Sequence, residues 1–185
     1  MTWLRLIVPE SWINYWQNKI MTITKGNDMT EAVEKQNDAQ PIFSMEKIYV
    51  KDISLEIPNA PKIFLERDTP QIDVQLNTQA VAIEDGVYEV LVTATVTAKT
   101  EAKVMFLIEV KQAGIFQVRH VPGEELEPIL AVMCPTILFP YLREVVSDIS
   151  VRGGFSPVLL NTVNFEALYQ QQKLNVQTDT PTTTH

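Results

Sequence analysis

Cysteine occurs once, at Cys134, so no disulfide can form within the chain. Stability must then come from a packed core, and a single thiol fits a reducing compartment. Histidine occurs twice, at His120 and at the terminal His185. A Ser–His–Asp arrangement could draw only on His120, and no serine lies in a strand-turn-helix nucleophile motif. Cys134 stands alone and His120 has no partner at helical spacing, so the sequence offers no metal-ligand pattern. There is no P-loop and no G-x-G-x-x-G. These absences point away from an enzyme, a metal site and a cofactor. Basic residues are also short: 15 Lys and Arg stand against 23 Asp and Glu, for a net charge of −8. A duplex-binding protein needs a basic face to displace counterions, which excludes nucleic acid as the expected partner. A basic protein segment fits better. No unbroken run reaches the roughly 18 apolar residues of a membrane span, so no membrane insertion is expected.

Tryptophan is confined to Trp3, Trp12 and Trp16. These lie in a segment unlike the rest, followed by the polar stretch TKGNDMTEAVEKQNDAQP. Met21 and Met29 are alternative starts. Leu6–Val8, with Leu4 nearby, is cut off by Pro9 and Glu10, shorter than the roughly 7–15 apolar residues of a signal-peptide core. The chain is therefore expected in the cytoplasm. Pro9 also interrupts any helical stripe through Leu4, Ile7, Trp12, Ile13 and Trp16. Residues 1–40 read as a disordered N-terminal extension, and 175–185 as a flexible polar tail.

What is present between them is alternation, then helical periodicity. In SMEKIYVKDISLEI, Tyr49, Ile53, Leu55 and Ile57 share one parity, and Asp52, Ser54 and Glu56 the other. That predicts a strand with one buried and one solvated face. Pro58 and Pro61 end it and NAPKIFLERDTP connects onward. QIDVQLNTQAV alternates again, and Glu84–Gly86 is a hairpin signal. VYEVLVTATVTA is rich in β-branched residues. A polar turn near Lys99–Lys103 leads to a fourth strand. There Phe106, Ile108 and Val110 lie opposite Met105, Leu107 and Glu109. After PGEE the period becomes helical, from Leu126 through Ile129, Leu130, Met133, Ile137, Leu138, Tyr141, Leu142 and Val145 to Ile149. Pro135 and Pro140 are expected to kink or split that helix. Gly153 or Gly154 suits its C-cap, and Asn164 is the expected N-cap of a last short helix over NFEALYQQQK. The fold class is α+β: a four-stranded antiparallel sheet, a long kinked helix and a short C-terminal helix. Cys134, between Met133 and Pro135, reads as a core cysteine, and Leu130, Ile137 and Val145 as core residues.

The blocks IYVKDISLEIPNAPKIF, DGVYEVLVTATVTA, QAGIFQV, CPTILFPYLREVVSDISVRGGF and VNFEALY, in this order, resemble the SecB family of bacterial protein-export chaperones. The resemblance runs from about Phe43 to Gln172 and sets the domain at 41–174. It implies a homotetramer built as a dimer of dimers, with the long helix in the contact between dimers. It implies ATP-independent holding of unfolded secretory precursors and their delivery to the SecA motor. It places a SecA contact at Asp52, Glu56, Leu107 and Glu109, and an oligomer interface at Ile108, Val110, Gln112, Cys134 and Leu138. It places a client-binding groove along Phe43, Tyr49, Phe64, Val74, Leu76 and Phe155. This chain departs from many relatives at Asp68–Thr69, where they carry an aromatic residue; Phe43, Tyr49, Phe64 and Phe155 are candidates to replace it. Two rival readings are a holdase of the same fold without SecA delivery, such as a toxin–antitoxin-linked chaperone, and a small-molecule-binding or enzymatic α+β domain. The acidic patch separates the first rival, since SecA delivery needs it and general holding does not.

Overall fold

The structure, a computed structural model, describes residues 40–101 and 103–178, with side chains as far as Leu174. Most of the expected N-terminal extension, and the tail beyond Thr178, lie outside the described residues. Four strands form: β1 (Ile42–Glu56), β2 (Gln71–Glu84), β3 (Val87–Lys99) and β4 (Val104–Arg119). All neighbours are antiparallel, in the order β1-β4-β3-β2. Strands β2, β3 and β4 follow one another through short turns, as the Glu84–Gly86 and Lys99–Lys103 signals predict. Strand β1 lies beside β4 instead of β2, a Greek-key arrangement. The chain must therefore cross the sheet end between Pro58 and Pro70. A single 3-10 turn, Lys62–Leu65, anchors this crossover by burying Ile63. The Asn59 side-chain amide donates to the Val104 carbonyl at 2.8 Å and pins the crossover to the start of β4.

The expected single parity along β1 is interrupted. The register against β4 shifts between Met45 and Lys47, and again between Val50 and Asp52. Glu46 and Lys51 are the extra residues, and each β-bulge reverses the odd–even assignment of faces. Tyr49 consequently shares a face with Asp52 and Glu56, whereas Ile53 and Leu55 lie on the other. The grouping of Tyr49 with Ile53 and Leu55 is corrected on this ground.

After β4, Gly123–Pro128 forms α1 and Cys134–Arg152 forms α2. Between them, Ile129–Met133 is a single π-helical turn. Pro135 lacks the N–H that would bond back one α-turn, and the ladder widens just before it: the Cys134 N–H donates to Ile129. The Thr136 hydroxyl donates to the Val132 carbonyl at 2.7 Å. Of the two expected outcomes, a kink or a split, the run is not split: the π turn accommodates Pro135, Pro140 lies inside α2, and one helical run spans Gly123–Arg152. Its mean hydropathy reaches 1.6 over 18 residues, long and apolar enough by those measures to cross a membrane. That average exists although no unbroken apolar run does. Cys134, Leu138, Phe139, Leu142 and Val146 are its buried face.

That face packs on β3 and β4, whose inward residues Val90, Val92, Ala94, Val96, Phe106, Ile108, Val110 and Phe116 complete one core. Gly114 permits the close approach: a Cβ there would lie 2.8 Å from Leu138 and 2.7 Å from the Phe116 ring. Helix α2 ends in a Schellman turn, with Phe155 N–H on Ser150 and Gly154 N–H on Val151. Gly154, rather than Gly153, takes the positive φ, at 85°. The last helix, α3 (Phe165–Thr178), is N-capped as expected, Asn164 accepting from the Ala167 N–H at 3.0 Å.

Candidate functional site

A helix with side chains is about 10–12 Å across, and strands lie about 4.8 Å apart. One helix therefore covers about two strands, and α2 sits over β3 and β4. Both edge strands keep apolar side chains on this same face without full cover. On β1 these are Phe43, Val50 and Ile53, the last 43% exposed. On β2 they are Ile72 and Val74, the latter 40% exposed. Two apolar flanks thus run beside the helix.

The flanks end in aromatic clusters. The Schellman turn projects Phe155 onto Phe106, with ring centroids 4.6 Å apart, and onto Phe64 of the crossover at 5.3 Å. Phe64 is 49% exposed and rests over Gly154. At the far end of β1, Phe43 stacks on Phe116 at 5.9 Å. Beside β2, Leu76 joins Phe165, Leu168 and Tyr169 of α3 around a cavity of about 60 Å³. Of the expected groove residues, the structure brings Phe64 and Phe155 together and places Val74 and Leu76 on the β2 flank. Phe43 lies in a separate cluster. Tyr49 belongs to the opposite face of the sheet, so its expected place in the same groove is corrected. The bulge at Glu46 sets it on the face opposite Phe43, and the bulge at Lys51 on the face opposite Ile53.

On that opposite face Tyr49 reaches over Ala113 to Glu89, its hydroxyl donating to the carboxylate. Lys51 Nζ holds the other oxygen of Glu89 at 2.7 Å. These two hydrogen bonds keep Glu89 below the ordinary carboxylate range against the opposing effect of burial. The same bond pushes the Tyr49 phenol up to about 12, helped by burial and by the carboxylate charge. Further along, Asp52 pairs with Lys111 and Glu56 with Leu107, with Glu109 opposite Ser54 between them. All four expected SecA-contact residues therefore share one face. Lys111 Nζ lies 3.1 Å from Asp52 and 3.0 Å from Glu109. Sequence reasoning missed Lys111 and Glu89. Their grouping depends on which strand lies beside β4, and parity within one strand does not carry that.

The residues expected between chains have another place. Ile108, Val110, Gln112, Cys134 and Leu138 are all buried within the single chain. Within the single chain they belong to the core, which leaves their side chains little area to offer directly to a partner. Burial pushes the Cys134 thiol up to about 12. Gln112 donates to the Tyr49 carbonyl at 2.9 Å, beside the bulge, while its own side-chain oxygen has no partner among the described residues. His120 is exposed in a left-handed turn.

A family model, described as preprotein translocase subunit SecB, matches residues 36–176. The chain belongs to the SecB family. Its relatives named protein-export protein SecB include one from Nitrosospira multiformis, 60% identical over 134 residues, 72% of this chain and 84% of that protein. Another, from Chromobacterium violaceum, is 60% identical over 76% of this chain and 94% of its own. The relative from Methylobacillus flagellatus is 54% identical over 85% of this chain and its own full length. The fold is similar to that of a SecB-like chaperone of Mycobacterium tuberculosis solved with a peptide from an antitoxin. That match has a TM-score of 0.55 and 20% identity, over 65% of this chain and 90% of the other. The SecB assignment makes the protein an export chaperone.

Proposed function

We propose that the chain holds unfolded secretory precursors on its apolar flanks, as a cytoplasmic tetramer, and passes them to SecA through the acidic sheet face. The observation that carries this is the geometry of a single helix on four strands, which leaves apolar side chains exposed along both edges. Patches of this kind mark association surfaces. Energetics set the manner of holding. One buried Leu- or Phe-sized side chain contributes roughly 1.5–3 kcal/mol, and association costs about 4–15 kcal/mol. A single short segment on one flank is held weakly. A long unfolded chain crossing several flanks gains effective concentration at each further contact, and a tetramer supplies the repetition. Folded proteins do not offer such segments, so selection needs no sequence motif. Nothing in this mode of holding calls for a nucleotide, a metal or a catalytic group, and enzymatic activity forms no part of the proposal.

Delivery to SecA, as against general holding, is favoured by the company the chain keeps: 54–60% identity to export proteins, against 20% to the antitoxin-peptide binder. The test is a pair of titrations on the double variant Asp52→Lys, Glu56→Lys, one with SecA and one with a denatured precursor. The expected result is weaker SecA binding, with client binding and native-mass-spectrometry tetramer unchanged. Unchanged SecA affinity would reduce the acidic face to ordinary solvated strand surface. A monomer at micromolar concentration would remove the tetramer from the proposal.

A further inference from the structure

The acidic face is less acidic than its carboxylates suggest. Asp52, Glu56 and Glu109 point outward together, but Lys111 stands directly across from Asp52 and two residues along β4 from Glu109. Its ammonium bridges both carboxylates at 3.1 and 3.0 Å, whereas Glu56 has no ion-pair partner among the described residues. We propose that Lys111 is a built-in competitor: it occupies the carboxylates that a basic partner would use and must be displaced before that partner docks. The proposal rests on the reading of this face as the SecA surface and adds how its affinity is set.

The physical grounds are exposure and charge. The side chains of Asp52, Glu109 and Lys111 are 55%, 40% and 37% exposed, so the bridges are held in water and screened by salt. Such bridges break at little cost, and a partner's cations can take the ammonium's place. While intact, they cancel part of the field that would steer a basic segment to the face. The two carboxylates raise the affinity of Lys111 for its proton, Glu109 foremost and Asp52 next, so the competitor stays charged at any working pH. Lys51 does not share this task, because it is engaged with Glu89 further along the sheet. Leu107, opposite Glu56, adds an apolar contact beside the carboxylates. The partner that fits is a basic segment with an apolar residue next to its cations.

The experiment measures binding of SecA, and separately of a short lysine-rich peptide, to the full chain and four variants at low and physiological salt. Lys111→Gln is expected to bind both about two- to fivefold more tightly at low salt, the size of a freed exposed ion pair. The gain should shrink as salt rises, and Lys111→Arg should stay near the parent. Lys103→Gln is the matched control. Lys103 lies in the turn before β4 and pairs with Glu66, not with Asp52 or Glu109, so the change removes one cation and frees one carboxylate there. If Lys103→Gln tightens binding equally, net charge alone is at work and the competitor is rejected. If Lys111→Gln binds no better than the parent while Asp52→Asn weakens binding, the face reading stands and the role of Lys111 falls. If Asp52→Asn has no effect on either ligand, the reading of the face itself has failed.

Discussion

A phenol and a carboxylate in contact each report the other's charge. Tyr49 donates to Glu89, and Lys51 neutralises the same group. The phenol is raised above its free value, so its contribution to stability is present below about pH 10 and lost as pH rises through about 12. Glu89 is lowered, so its contribution is present above its free value and lost as pH falls through the folded one. The chain has 5 tyrosines. An ultraviolet titration of Tyr49→Phe against the parent should assign one late-titrating phenol to Tyr49. Glu89→Gln should bring that phenol back toward 10. A Tyr49 titrating with the other tyrosines would mean that the contact does not persist in solution.

An extra residue in a strand reverses which side chains face outward, and this decides the composition of both faces here. The bulge at Lys51 puts Asp52 and Glu56 on the same face as Glu109. Gln112, directly across from Val50, supplies its side-chain amide to the Tyr49 carbonyl at that point. Keeping a buried amide whose oxygen has no partner among the described residues costs stability, and satisfying the bulge carbonyl is the compensating gain. Gln112→Leu should therefore lower unfolding stability in urea by less than the roughly 1–3 kcal/mol of an orphaned carbonyl, because it also removes the unpartnered side-chain oxygen. Amide exchange should quicken around Val50–Asp52. Removing Lys51 restores unbroken pairing of Val50 with Gln112 and Asp52 with Lys111, so Gln112→Leu should cost less in that background. An equal cost in both backgrounds would show that Gln112 serves only to fill space.

At the scale of the whole molecule, the proposed function has stability and holding draw on different surfaces of one sheet face. The centre, beneath α2, is closed; the flanks are open. Val74→Ser on the β2 flank should leave the melting temperature within a few degrees of the parent, because the residue is 40% exposed. The same change should weaken suppression of precursor aggregation by light scattering. Leu142→Ser, at 0% exposure, should do the reverse and unfold the chain before any loss of holding can be read. If Val74→Ser held precursor as well as the parent, the β2 flank would be struck from the groove.

The strands β2 to β4, the long helix, the Asn164 cap and a C-cap at Gly153 or Gly154 could be read from the sequence because each is a local property. Period, turn residues and capping chemistry act within a few residues of one another. Family membership was legible for a similar reason, since blocks such as KDISLEIPNAP and CPTILFPYLRE keep their order along the chain. The π turn that carries Pro128 and Pro135 within one helical run, the place of β1 beside β4 and the two bulges were not local. Each is settled by what the segment packs or pairs against. The site followed the same division. Asp52, Glu56, Leu107 and Glu109 could be named from the resemblance, but only the β1–β4 register brings them to one face and sets Lys111 among them. Ile108, Val110 and Gln112 were named by the resemblance for an oligomer interface, and only the packing of the single chain shows them buried. The sequence by itself determined which residues are apolar and in what period; the tertiary structure decided which of them one helix is wide enough to cover.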